Sequence, residues 1–131
     1  MNEPLIFLGI DWGASKIGLA IGDSQTKLAL PYGRVASWSE AQAVIAKEQA
    51  QFLVIGWPRG LLDKNDKINQ GWTDFVKMAR ASGLPVELVD ERLSTQAADR
   101  LINHQKAAAD QDAIAAMLIL QGFLDQYEPN H

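Results

Sequence analysis

Apolar and polar positions change period several times along the chain, and each change predicts an element. Leu5 to Asp11 is a run of apolar residues and glycine closed by a carboxylate. Lys16 to Gly22 is a second strand candidate, joined to the first by Trp12-Gly13-Ala14-Ser15. Two runs this close predict a hairpin. A third strand falls within Lys27 to Ser37, moved to a sheet edge by Pro31, which has no amide hydrogen for an interior ladder. Ser39 reads as a helix N-cap, and Ala41, Val44, Ile45 and Ala46 form the stripe of a helix reaching Gln51. Phe52 to Trp57 is continuously apolar, as in a strand buried on both faces. After a loop from Pro58 to Asp66, the segment Lys67 to Ser82 carries Ile68, Trp72, Phe75, Val76 and Ala79 on one helical face. Gly83 and Pro85 stop it. Val86 to Val89 is a last strand, leading into Asp90-Glu91-Arg92. Helices are expected from Ser94 to His104 and from Asp110 to Gln126.

An antiparallel meander feeding βαβ units is an α/β arrangement, a mixed sheet with helices on both faces. Right-handed crossovers leave few topologies. One is the ribonuclease H-like fold, five strands in the order 3-2-1-4-5 with strand 2 antiparallel. The 131 residues fit one domain, 1–131. Hydrophobic residues at 47% and charged residues at 21% exclude a disordered chain.

There are 0 cysteines, which removes a disulfide framework, a thiolate zinc site and a cysteine nucleophile, and agrees with a cytoplasmic location. Met1-Asn2-Glu3-Pro4 is acidic, Leu5 to Ile10 is short for a signal-peptide core, and no run approaches the roughly 20 residues of a membrane span. The expectation is a soluble protein with no membrane partner. Lys and Arg number 12 against 16 Asp and Glu, for a net charge of −4. That balance counts against a charge-driven DNA coat protein but not against an enzyme with an acidic metal centre.

The chemistry lies in where the acids stand. Asp11 ends the first strand, and Asp90 and Glu91 end the last one. Sites in α/β sheets form at the carboxyl ends of strands. Asp112 opens the last helix on the face of Ala115, Ala116 and Ile119, and small residues there let the helix approach the sheet. Oxygen ligands without cysteine or histidine favour Mg²⁺ or Mn²⁺. Two such ions about 3.5–4 Å apart serve phosphodiester hydrolysis.

Plainer roles exist for each acid. Asp11 fits a turn residue before Gly13, and Asp90, Glu91 and Arg92 fit a strand-end ion pair. Asp112 fits a helix-dipole partner, although Asp110 suits that role better as the N-cap. Of Asp90 and Glu91, one faces the site and the other faces away, because side chains alternate along a strand. Trp12 and Trp57 follow strand ends and are candidates for stacking on bases, whereas Trp72 belongs to a core face. Lys16, Arg59 and Arg92 are the candidate phosphate contacts; Lys64 and Lys67 read as solvated surface. His104 and His131 have no partner spacing, and Ser94 and Thr95 read as caps.

Four segments together resemble the YqgF (RuvX) family, a branch of the RuvC-like nucleases known as Holliday junction resolvases or pre-16S rRNA nucleases. They are Leu8-Gly9-Ile10-Asp11-Trp12-Gly13 with Ile17 to Gly22, Val54-Ile55-Gly56-Trp57-Pro58, Val89-Asp90-Glu91-Arg92-Leu93-Ser94-Thr95, and Asp112 to Gln121. The resemblance spans Leu8 to Tyr127. It implies a nuclease whose acids are Asp11, Glu91 (or Asp90) and Asp112, holding Mg²⁺ or Mn²⁺. It also implies structured RNA or branched DNA as partner, with a ribosomal precursor particle as a further candidate, and a monomer or homodimer.

The chain departs from the family at three places. The hairpin turn reads Gly13-Ala14-Ser15 instead of Gly-Thr-Lys, with its lysine displaced to Lys16. Trp57 replaces the leucine of Gly-Leu-Pro, and Gln105 to Asp110 carries a single lysine, Lys106, where many members of the family are basic. Two other classes compete. Gly9-x-Asp11-x-Gly13 also opens actin-like and sugar-kinase ATPases, but 131 residues leave no second domain to close over ATP. A non-catalytic interaction domain suits the altered turn and loop, and the retained acids count against it.

Overall fold

The β-branched and aliphatic runs form the strands that their periodicity predicts. The computed structural model describes residues 3–57, 66–90 and 111–128, with the backbone alone at 57 and 66–69. Its strands are β1 (Ile6–Trp12), β2 (Ile17–Asp23), β3 (Ala29–Val35), β4 (Phe52–Trp57) and β5 (Val86–Asp90). Its helices are α1 (Trp38–Glu48), α2 (Asp66–Ala81) and α3 (Gln111–Gln126). The expected helix from Ser94 to His104 lies outside the described residues, as does Asp110.

The five strands form one sheet in the order β3-β2-β1-β4-β5. β2 is antiparallel to both neighbours, and β1, β4 and β5 run parallel. This is the mixed α/β sheet anticipated from the element order. Central β1 shows why its sequence is apolar at nearly every position. Phe7 packs in the cluster built on α3, while Leu8 and Ile10 pack with Trp72, Phe75, Val76 and Ala79 of α2. Helices therefore cover both faces, and a strand between them needs apolar side chains on both sides. Eight residues of α3 are buried, so it is a core helix over most of its circumference. No helix among the described residues is long and apolar enough to cross a membrane.

Two boundaries differ from the sequence reading. The N-cap of α1 is Ser37, not Ser39. Ser37 Oγ accepts the Glu40 amide at 3.2 Å, and Glu40 Oε1 accepts the Ala36 amide at 2.9 Å, so Ser37 and Glu40 satisfy the helix start together. The helix also ends before Gln51, because Gln49 adopts a left-handed conformation (φ 59°).

β3 carries a bulge. Pro31 stands opposite Ala20 and Gly33 opposite Leu19, so Tyr32 is an extra residue with no counterpart on β2. The edge position tolerates Pro31, as predicted.

Beyond β2, the Asp23 carboxylate closes a turn. It accepts the amides of Gln25 at 2.9 Å and Thr26 at 2.8 Å. The Thr26 amide is the main reason that the Asp23 carboxyl lies below its ordinary pKa.

Candidate active site

Alternation along β1 decides what Asp11 faces. Phe7 belongs to the α3 cluster, and a Cβ at Gly9 would lie 2.7 Å from Leu120 Cβ and 3.0 Å from the Ala116 carbonyl oxygen. Residues 7, 9 and 11 therefore share the face that α3 covers. Asp11 ends that row, half-buried, at the carboxyl end of the strand.

The cross-strand partner of Asp11 is Gly18. Residues directly opposite in an antiparallel pair present side chains on the same face. A side chain at Gly18 would overlap the backbone carbonyl of Asp112. The first turn of α3 thus rests on the sheet where Gly18 leaves space, and Asp112 stands over the residue that neighbours Asp11. Asp11 and Asp112 are on one side of the sheet, at one end of it.

Gly18 is also the partner of Arg34 on β3. Arg34, Gly18 and Asp11 form a row across three strands, with Asp112 above its middle. The Arg34 Nη1 to Asp112 Oδ2 distance is 3.7 Å, with the side chains 52% and 34% exposed.

The bulge accounts for that pairing. Ala29 and Pro31 lie opposite Gly22 and Ala20, on the α3 face, as Ala29 and Ala20 in the α3 cluster confirm. Strict alternation would put Gly33 and Val35 on that face as well. The extra Tyr32 reverses the phase, so Val35 packs with the α1 and α2 cluster and Arg34 turns toward α3. Arg34 is a functional candidate that the linear pattern does not single out; its signal is Pro31 and Gly33 inside an otherwise regular strand, a pattern that marks an irregular ladder.

The remaining candidates separate. Asp90 ends β5 opposite Trp57. It falls in the row of Val86 and Leu88, which pack with the α1 and α2 cluster, while Val89 packs with the α3 cluster. By alternation Asp90 belongs to the face opposite Asp11. Glu91, Arg92 and Arg59 lie outside the described residues. Trp12 is on the opposite face from Asp11, and its indole packs on α2. A Cβ at Gly71 would lie 2.8 Å from Trp12 Cη2. Lys16 is exposed in the β1–β2 turn, at the same end of the sheet as Asp11. Trp72 is a core residue whose Nε1 donates to the Gly56 carbonyl at 3.2 Å.

Among the described residues, no group of three or more His, Cys, Asp or Glu side chains could hold a metal ion. Asp11 and Asp112 contribute two carboxylates to one face, and their hard oxygen donors suit Mg²⁺ or Mn²⁺.

The family model described as RuvX, Holliday junction resolvase, matches residues 5–126. A protein of Acidiphilium cryptum named "Putative pre-16S rRNA nuclease" is 36% identical over 130 residues, covering 90% of this chain and 82% of its own. A protein of the same name from Legionella pneumophila (strain Paris) is 33% identical, covering 94% of this chain and 97% of its own. Among solved structures, Thermus thermophilus RuvC in complex with a Holliday junction superposes with a TM-score of 0.66 at 14% identity, covering 90% of this chain and 91% of that one. The Fowlpox virus resolvase with Holliday junction DNA reaches 0.52 at 12% identity, covering 92% and 97%. At such identities the likeness is one of fold, and it agrees with the RuvC-like, ribonuclease H-like strand order.

Proposed function

This chain belongs to the RuvX family, and from that membership we propose that it is a metal-dependent nuclease hydrolysing phosphodiester bonds at the 5′ end of precursor 16S rRNA. One observation carries the reading. Asp11 and Asp112, a strand end and a helix start distant in sequence, come to one face at one end of the sheet because Gly18 lets α3 approach. The names of the relatives supply the substrate.

In this assignment Asp11, Asp112 and Glu91 hold Mg²⁺ or Mn²⁺. Glu91 is preferred to Asp90 because Asp90 belongs to the α1 and α2 face. When bound there, the metal would supply an activated water and charge stabilisation for the leaving oxygen. Asp11 is anchored through its backbone on the central strand, opposite Gly18 of β2 and one residue past the last β4 partner of β1, Ile10. Asp112 is held by a buried helix. Such rigid supports keep ligands placed through the reaction.

A second reading, cleavage of four-way DNA junctions, is favoured by the description of the family model. Purified protein with Mg²⁺ or Mn²⁺ would be given a precursor 16S rRNA 5′ fragment and a synthetic four-way junction in parallel, with Asp11→Asn as control. Cleavage of the RNA that disappears in Asp11→Asn supports the first reading. Cleavage of the junction alone moves the function to the second. No metal-dependent product from either substrate leaves a non-catalytic domain and rejects the nuclease.

A further inference from the structure

We propose that Arg34 contacts a backbone phosphate of the nucleic acid at this same site; the inference rests on the nuclease reading above. Arg34 reaches the α3 face only because β3 carries one residue more than its partner strand. Bulges recur beside active sites, where they re-aim a side chain. Packing accounts for the seating of Val35 in the α1 and α2 cluster but not for the Arg34 side chain, which is 52% exposed. Its 3.7 Å contact with Asp112, between groups this exposed, is longer than a hydrogen bond and contributes little.

The chemistry of the row does explain it. Asp11 and Asp112 place negative charge where a phosphodiester has to approach, on a chain whose net charge is −4. A cation in the same row offsets that repulsion. A guanidinium also offers a planar fork of donors that matches two phosphate oxygens at once. Lys16 lies exposed at the same end of the sheet, so the two cations mark a path for a backbone past the acids. Lys27, by contrast, donates to the Tyr127 carbonyl at 2.9 Å, and Lys47 is in the last turn of α1.

The test measures binding, so that it stands apart from catalysis. A short fluorescent RNA spanning the 5′ end of 16S rRNA would be titrated in chelator over a range of salt concentrations. Wild type, Arg34→Gln and Lys47→Gln would be compared, the last removing the same charge from α1. Arg34→Gln should bind roughly three- to tenfold more weakly, with a log–log salt slope shallower by about 0.7, the share of one single-strand phosphate. Lys47→Gln should keep the wild-type slope, and all three proteins should melt within a few degrees of one another. An unchanged slope in Arg34→Gln, with wild type still cleaving the RNA in Mg²⁺, overturns this inference alone. Equal losses in both variants also overturn it, as an effect of net charge. A wild type that neither binds nor cleaves the RNA overturns it together with the RNA-processing reading.

Discussion

Gly18 lies directly across the β1–β2 ladder from Asp11, and the carbonyl of Asp112 fills the space that its missing side chain leaves. The relationship joins fold to chemistry. The glycine that lets a core helix settle on the sheet also sets how near the second carboxylate comes to the first.

Gly18→Ala should therefore harm both. A methyl group there meets helix backbone, which cannot rotate aside as a side chain can. We expect a loss of about 1–3 kcal/mol in urea unfolding and a larger fall in cleavage than that loss explains. A variant as stable and as active as wild type would show that α3 is not held against β2 in this way.

Asp11→Asn keeps shape but replaces a carboxylate, the proposed metal ligand, by a neutral amide. Mg²⁺- or Mn²⁺-dependent cleavage should fall by orders of magnitude while circular dichroism and melting stay near wild type. Full activity of the purified variant would remove Asp11 from the site.

Asp90 and Glu91 should separate in the same assay. Asp90 belongs by alternation to the α1 and α2 face. Asp90→Asn should keep activity within about tenfold, whereas Glu91→Gln, which removes the charge of the proposed ligand, should resemble Asp11→Asn. The reverse pattern would make Asp90 the ligand.

Asp23 should govern part of the acid stability. Its folded pKa is lowered, chiefly by the Thr26 amide, so its contribution is complete above the unfolded aspartate pKa and is lost as pH falls through the folded value. Asp23→Ala should melt lower than wild type at neutral pH, with the difference shrinking as pH drops below the ordinary aspartate range. A difference that stays constant into strong acid would mean that the turn is held by something other than the carboxylate.

The sequence alone determined the kind of each described element, because that follows from periodicity, and it narrowed the sheet to a few orders of which the structure shows β3-β2-β1-β4-β5. β1 and β4 are apolar throughout because helices cover both faces, and α3 is apolar nearly all round because it lies in the core. Asp11 was legible as a charge closing a buried strand, and Asp112 through the small residues on its face. Two neighbouring acids, Asp90 and Glu91, could not be told apart, since their facing depends on which cluster each row of β5 joins. That became visible for Asp90 only from the pairing of β5 with β4. Trp12 read as a stacking platform on a strand end, but its indole packs on α2, because the space at Gly71 receives it. Ser39 read as the cap of α1, but Ser37 Oγ accepts the Glu40 amide while Glu40 Oε1 accepts the Ala36 amide, and these bonds place the cap at Ser37. Arg34 depended most on tertiary structure. Local pattern gives a strand its two faces, but a single unpaired residue reverses them, and only the ladder with β2 shows where the reversal falls.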